Sequence, residues 1–115
     1  MNILQQAAAK QAAFTRYMAS CGYETQTTFY ADLTIAEMDG PDGVRETYAR
    51  IVKDWRGNLV YYTEFVLALN NKIWEHYEHN DALAKVYDEL WRAADKWACD
   101  NLTGDDLAYY YETTD

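Results

Sequence analysis

Hydrophobic residues recur three and four positions apart through most of the chain, which is the spacing of the buried stripe of an amphipathic helix. The stripes consist of Val44, Tyr48, Ile51 and Trp55; of Leu59, Tyr62, Val66, Leu69, Ile73 and Tyr77; and of Leu83, Tyr87, Leu90, Ala94 and Trp97. Gly57-Asn58 and Asn80 separate them, and such residues end or cap helices. No segment shows the two-residue alternation of a strand. The pattern predicts an all-α fold, a compact helical bundle of about four to five helices with short connections.

The 115 residues are enough for one domain with a single core. Its predicted parts are an Ala-rich N-terminal helix at 1–22, a loop with a short helical turn at 23–43, a helical core at 44–98 and an acidic C-terminal segment at 99–115. Within the loop, Thr34 and Glu37 have the spacing of a capping box. The Gly- and Pro-containing stretch that follows predicts a break in the chain. Asp42 is expected to cap the next helix.

Features that would indicate a membrane or secreted protein are missing. The apolar runs are far shorter than the ~20 residues that cross a bilayer, and polar residues interrupt the N-terminus where a secretory signal would be apolar. Cys21 and Cys99 are too far apart for a metal or redox motif. We therefore expect a cytoplasmic protein with free thiols and no membrane contact.

The candidates for chemistry are few. His76 and His79 lie three residues apart on one helix face, but they match neither HExxH nor HxxEH. The acidic loops near 39–43 and 100–106 place Pro41 and Leu102 where an EF-hand needs oxygen ligands. Phosphate-binding glycine loops and nucleophile motifs are missing from the sequence. We expect no metal, no cofactor and no enzymatic activity.

Aromatic residues are unusually frequent, with eleven Tyr and four Trp. Neighbours such as Tyr61-Tyr62 and the run 109–111 lie about 100° apart on a helix, so we expect that they do not all face the core. Either the rings shield the ends of the bundle, or some of them are interface anchors. Trp74 and Tyr110 are the candidate anchors.

The net charge of −9 is unevenly distributed, because residues 1–26 contain two bases and one acid. The segments 30–44 and 99–115 contain acids and no base. The candidate partner-binding carboxylates are Asp32, Glu37, Asp39, Asp42, Asp100, Asp105, Asp106 and Glu112. On a rigid body they would imitate the phosphates of a nucleic acid and fit a protein partner with a basic surface; the alternative is that they only increase solubility. Direct binding of nucleic acid is not expected of so acidic a chain.

Residues 27–115 resemble a family of short acidic proteins encoded on mobile elements of gut bacteria. The stretches that carry the resemblance are Thr28–Asp32, Asp42–Arg50, Leu69–Tyr77, Leu83–Arg92 and 111–115. Mobile elements often encode small acidic proteins that inactivate host nucleases. The resemblance therefore implies an inhibitor of anti-CRISPR or anti-restriction type, but it carries no catalytic residues.

Two hypotheses follow. In the first, the acidic residues and the exposed aromatic residues block the nucleic-acid channel of a host defence enzyme, such as a nuclease or a CRISPR effector. In the second, the chain is a homodimeric helical adaptor of a mobile element, in which the N-terminal helix and the apolar stripes pack across subunits. Salt dependence of partner binding distinguishes the two.

Overall fold

A computed structural model describes residues 25–114, so the predicted helix at 1–22 lies outside the described residues. The described elements are α1 (Thr25–Ala36), a 3-10 turn (Glu37–Asp39), α2 (Gly40–Trp55), α3 (Leu59–His76), α4 (Asp81–Asn101) and α5 (Gly104–Thr114). This part of the chain contains no strand. The predicted all-α bundle with short connections is confirmed.

The first described helix contradicts the predicted loop at 23–43. Phe29, Leu33 and Ala36 are spaced four and three apart, and all three are buried. Burial of this stripe outweighs the weak helix propensity of the threonines. The Thr34 hydroxyl donates to the Tyr30 carbonyl oxygen at 2.9 Å inside the helix. The predicted capping box of Thr34 and Glu37 is therefore wrong.

The Gly-Pro break is shorter than predicted. The 3-10 turn leads directly into α2, which begins at Gly40 with Pro41 in its first turn, where a missing N–H is harmless. Gly40 has a φ of 75°, a conformation that side chains disfavour. The predicted cap at Asp42 is wrong, because Asp39 holds the N-cap position and Asp42 lies within the first turn.

The later helix boundaries follow the predicted signals. The Asn58 side chain accepts a hydrogen bond from the Tyr61 N–H at 3.3 Å. The Asn80 side chain accepts one from the Leu83 N–H at 3.2 Å. Each satisfies a backbone donor that the first turn of a helix leaves open. These caps fix where α3 and α4 begin.

The central element is α3, which packs against α1, α2, α4 and α5. Because it is enclosed from several directions, its neighbouring residues Tyr61 and Tyr62 are both buried. The expectation that adjacent tyrosines would not all face the core is wrong for this pair. Phe29 of α1 and Tyr110 of α5 also belong to the core, which thus extends beyond the predicted range 44–98.

Candidate functional site

The side chain of Lys72 is completely buried, at 0% exposure. Its Nζ lies 2.9 Å from Glu37 Oε2 and 2.7 Å from Glu75 Oε2. It also donates to the Thr34 hydroxyl oxygen at 2.6 Å, and the centroid of the Tyr30 ring is 4.1 Å away. The three N–H donors of the ammonium thus meet three oxygen atoms, and an aromatic face covers it. Lys72 is therefore a fully compensated buried charge.

Two more side chains complete this arrangement. His76 Nε2 lies 3.1 Å from Glu37 Oε1 and 3.2 Å from Glu75 Oε2. The Tyr87 hydroxyl donates to Glu37 Oε2 at 2.5 Å, and its ring stacks on the ring of His76 at an angle of 4°. We call Glu37, Lys72, Glu75, His76 and Tyr87 the ionic cluster. It joins the 3-10 turn to α3 and α4.

The environment of the ionic cluster lowers the pKa of Glu75 and raises the pKa of two tyrosines, Tyr87 within the cluster and Tyr30 beside it. Burial would raise the pKa of the Glu75 carboxyl, but hydrogen bonds from Lys72 and Tyr30 outweigh it and lower that pKa. Burial and the hydrogen bond to Glu75 raise the pKa of Tyr30 to about 12. Burial and the hydrogen bond to Glu37 raise the pKa of Tyr87 above its ordinary value. The environment thus keeps Glu75 ionised and both tyrosines protonated.

Glu37, Glu75 and His76 also offer ligand atoms that lie within 4.8 Å of one another. Oxygen and imidazole ligands at such separations suit a divalent cation. Here both carboxylates already contact the Lys72 ammonium, so the cluster contains a cation of the protein itself. Its chemical role is to pair the charges of the 3-10 turn and α3, to which α4 adds the hydrogen bond of Tyr87.

Sequence reasoning assigned Glu37 to an acidic patch, and this assignment is wrong. The Glu37 side chain is 14% exposed and faces Lys72, so it is not available to a partner. Lys72 and Glu75 were not predicted as site residues. A signal was present, because Phe65, Leu69, Lys72 and His76 are spaced four, three and four apart, which places the lysine on a buried helix face.

Beside the ionic cluster, α3 presents apolar rings to solvent. Trp74 is 66% exposed and Tyr77 is 62% exposed, and their ring centroids are 5.8 Å apart. Ile73 and Trp91 lie next to them and are half-buried. We call Ile73, Trp74, Tyr77 and Trp91 the aromatic surface. The predicted exposure of Trp74 is confirmed.

The aromatic surface borders a groove between α3 and α4. Two neighbouring cavities in this groove have volumes of about 270 Å³ and 260 Å³, and both are lined by Ile73, Tyr77 and Asp88. Asp81 and Lys85 lie at one end and form an exposed ion pair at 2.9 Å. The groove therefore combines an apolar floor with a charged rim.

The candidate carboxylates occupy two separate regions. The 3-10 turn contacts Lys72 near the end of α3. At the start of α3, the Tyr62 hydroxyl donates to the Ala94 carbonyl oxygen, and Tyr110 of α5 donates to the adjacent Asp95. Ten helical residues between Tyr62 and Lys72 span about 15 Å. The two regions therefore lie towards opposite ends of the bundle and do not form one row of charges.

Only some of these carboxylates are both exposed and without an ion pair in the described part of the chain. Asp42 contacts Arg45 at 3.2 Å, and Asp100 contacts Lys96 at 2.6 Å. Both bases lie outside the acid-only segments, so counting charges within the segments missed them. The remaining candidates comprise the exposed residues Asp39, Asp105 and Glu112 and the half-buried residues Asp32 and Asp106.

Tyr110 is not an exposed anchor, contrary to prediction. It is fully buried, and its hydroxyl donates to Asp95 Oδ1 at 3.0 Å. Burial and this hydrogen bond raise its pKa above the ordinary value. Of the adjacent tyrosines, Tyr109 is half-buried and Tyr111 is exposed. Docking of α5 onto α3 and α4 thus uses Tyr110 within the core.

Two further findings bear on function. Within 25–114, every helix is too short or too polar to cross a membrane. Comparison with known protein families, with curated proteins and with solved structures found no match to this chain.

Proposed function

We propose that the chain is a protein-binding domain whose aromatic surface contacts its partner. The observation that carries the proposal is the side-by-side exposure of Trp74 and Tyr77 beside an apolar groove. Exposed rings of this size favour contact with another apolar surface. Trp and Tyr are also the residues most enriched among the energetic centres of interfaces.

The negative charge of the chain supports a partner with a basic surface. The chain has a net charge of −9. Exposed acids near the groove include Glu78 and Asp81, and Glu78 forms no ion pair with the described cations. Asp105 and Glu112 are exposed acids at the other end of the bundle and form no ion pair with a cation of residues 25–114. A partner with lysine and arginine around an apolar centre would complement both features.

The partner class that we propose is a nucleic-acid-directed defence enzyme, such as a nuclease or a CRISPR effector. Such enzymes have basic channels that an acidic body can occupy. The resemblance to acidic proteins of mobile elements supports the same class. The domain would then inhibit by blocking the channel rather than by catalysis.

Affinity capture from a gut-bacterial lysate, at low and at high salt, tests this proposal. The bait is the full chain, and the matched variants are Trp74→Ala and Ile35→Ala, which remove apolar side chains of nearly equal exposure, 66% and 65%. We expect a nuclease or effector that is lost at high salt and with Trp74→Ala, but retained with Ile35→Ala. Capture of copies of the chain alone, unaffected by salt, would instead favour the homodimeric adaptor.

Inhibition is then measured directly with the captured enzyme and its nucleic-acid substrate. Asp105→Asn with Glu112→Gln removes two exposed charges without reversing charge at the start of α5. We expect weaker inhibition with unchanged circular dichroism. Full inhibition by this variant would exclude the C-terminal acids from the contact, and failure of the wild type to inhibit would refute the blocking role.

A further inference from the structure

We propose that the junction between α2 and α3 is an oxyanion-binding site, which takes a phosphate or carboxylate group at the guanidinium of Arg56. This junction lies at the start of α3, whereas the aromatic surface lies near the end of that helix. The 16 positions from Asn58 to Trp74 span about 24 Å of helix. An oxyanion at Arg56 would therefore leave the aromatic surface open to its partner, so the site is independent of the proposed function.

The charge of Arg56 has no carboxylate partner among the described residues. Residues 25–114 contain eight lysines and arginines, and five of them form ion pairs. Of the other three, Arg50 and Lys53 are exposed to solvent, whereas Arg56 is half-buried. Burial of a charge is unfavourable without a partner, because water no longer hydrates the charge fully. In the described part of the chain, Arg56 is thus the cation that most requires an anion.

Three buried side-chain donors near this junction have no hydrogen-bond partner among residues 25–114. They are the Arg56 Nε–H, the Asn58 amide Nδ2 and the Tyr48 hydroxyl. Asn58 is 3% exposed and Tyr48 is 9% exposed. Buried polar atoms of folded proteins almost always have a partner, and a donor left without one destabilises the fold. All three groups can donate to an oxygen atom, so an oxyanion is a ligand that they suit.

The Arg56 guanidinium is held between aromatic side chains. Its Cζ lies 5.1 Å from the centroid of the Trp97 ring, and that ring lies 5.0 Å from the ring of Tyr62. Burial raises the pKa of Tyr48, and the charge of Arg56 opposes this rise, so the guanidinium also lies near the Tyr48 hydroxyl. Because Trp97 covers one face of the guanidinium, its edge is the part that can bind a ligand.

The start of α3 adds a field that favours an anion. Asn58 is the N-cap of this 18-residue helix, and its Oδ1 accepts a hydrogen bond from the Tyr61 N–H. The N-terminal end of a helix carries a partial positive charge, which attracts anions. The negative end of α2 lies at the same junction, and Lys53 in its last turn offsets it. The helix field and the guanidinium therefore act in the same direction.

The surroundings of Arg56 determine the class of ligand. Arg56 is half-buried and the adjacent Gly57 is exposed, so a small group can reach the junction from solvent. The edge of a guanidinium donates two parallel hydrogen bonds, which a carboxylate or a phosphate accepts with two oxygens. A halide ion offers only one acceptor atom. The expected ligand is therefore a single oxyanion group.

Titration of the full chain with inorganic phosphate, and separately with acetate, tests the site. Nuclear magnetic resonance follows the indole N–H signals of Trp97, beside Arg56, and of Trp74, on the aromatic surface. Sodium chloride at equal ionic strength is the control. We expect phosphate or acetate to shift the Trp97 signal until it saturates and to leave the Trp74 signal unchanged. The ion that binds more tightly identifies the group as phosphate or carboxylate, and no shift beyond the chloride control with either ion would overturn the proposal.

Two variants with matched controls locate the bound ion. Arg56→Lys keeps the charge but loses the two-donor edge, and Tyr48→Phe removes only a hydroxyl. Losing a hydrogen bond to a charged group weakens binding about 10-fold or more, and we expect this loss in each variant. The controls are Arg50→Lys, at an exposed position, and Tyr87→Phe, which removes a buried hydroxyl of the ionic cluster. Equal affinity of all four variants would overturn the proposal.

Thermal unfolding separates a ligand site from a purely structural role. In a buffer without phosphate or carboxylates, Tyr48→Phe should be at least as stable as the wild type, because the hydroxyl that it removes has no partner. Added phosphate or acetate should then raise the Tm of the wild type more than that of the variant. A lower Tm of the variant without any oxyanion would show that the hydroxyl is already satisfied, and would overturn the proposal. None of these outcomes depends on a partner of the aromatic surface.

Discussion

Six consecutive residues at the end of α3 and its C-cap, Lys72–Tyr77, contribute to two neighbouring regions of opposite chemistry. Inside lies the ionic cluster, where the Lys72 side chain is 0% exposed. Outside lies the aromatic surface, where Trp74 is 66% exposed. The usual preference places lysine outside and large apolar rings inside. Its reversal within two residues shows that partners, rather than residue type, decide burial here.

The partners of the two regions differ in where they come from. Lys72 contacts Glu37 from the 3-10 turn, and Tyr87 of α4 bonds to the same carboxylate. Trp74 instead contacts Tyr77, the C-cap residue of the same helix, three positions along the chain. The ionic cluster therefore connects separate elements, whereas the contact between the exposed rings of Trp74 and Tyr77 joins residues only three positions apart. We infer that stability and binding are separable along this one stretch.

The strongest way to test the separation is Lys72→Ala. The change leaves the mostly buried Glu37 carboxylate and the exposed Glu75 carboxylate without their ammonium, and breaking a buried ion pair costs about 3–5 kcal/mol. We expect a loss of that size in the free energy of unfolding, measured by urea denaturation. The control Lys85→Ala removes an exposed pair with Asp81 and should change stability by less than about 1 kcal/mol.

Equal stability of the Lys72 and Lys85 variants would contradict the role of the ionic cluster. Lys72→Met distinguishes loss of charge from loss of packing, because it retains a long unbranched side chain. If charge compensation is the cause, Lys72→Met should also destabilise. Full stability of the methionine variant would show that the buried stem of Lys72 matters more than its ammonium.

Trp74→Ala should have the opposite effect, with little loss of stability and a large loss of partner affinity. Because the side chain is largely exposed, unfolding should change by no more than about 0.5 kcal/mol. Partner binding should weaken by about 2 kcal/mol or more, the loss typical of an interface centre. Titration calorimetry with the purified partner measures this loss, and Ile35→Ala should leave the affinity unchanged.

Partner affinity unchanged by Trp74→Ala would place the contact elsewhere on the molecule. A large loss of stability would instead show that Trp74 belongs to the fold. Either result would contradict the assignment of stability to the ionic cluster and of binding to the aromatic surface. The exposed carboxylates Asp105 and Glu112 would then be the next candidates for the contact.

The helical fold was largely predictable, because stripes and caps are local signals. The Asn80 cap and the stripes from Leu59 to Leu69 and from Leu83 to Ala94 required only spacing. The helix at Thr25–Ala36 was missed, because its threonines have weak helix propensity and its apolar stripe is short. Burial of that stripe against α3 stabilises the helix, and the sequence does not show this contact. Local propensity gave the wrong answer where tertiary burial decided.

The candidate site was less predictable, because it depends on which helices meet. Exposure of Trp74 was predicted, but burial of Tyr110 required knowing that α5 docks onto the bundle. Glu37 was taken for a free surface acid, since Lys72 lies 35 positions away in the sequence. Counting the charges within one segment leaves out ion-pair partners from other segments. A charged surface patch therefore cannot be inferred reliably from the sequence of one segment.

Lowering the pH is the test of the ionic cluster with the smallest expected effect. The pKa of Glu75 is lower in the folded chain than its ordinary value of 4.5. Its charge therefore contributes stability that is present above about pH 4.5 and is lost as the pH falls through the lowered pKa. Because the Glu75 side chain is 40% exposed, solvent screens the effect and we expect a small decline.

Urea midpoints of the wild type and of Glu75→Gln, followed from neutral to acidic pH, measure this decline. The wild type should lose stability on acidification more steeply than the glutamine variant, because glutamine does not titrate. An equal slope for both proteins would assign the acid sensitivity to other carboxylates. Trp74→Ala should retain the wild-type slope, since the aromatic surface takes no part in this titration, and a flattened slope in that variant would show that the two regions of α3 are coupled.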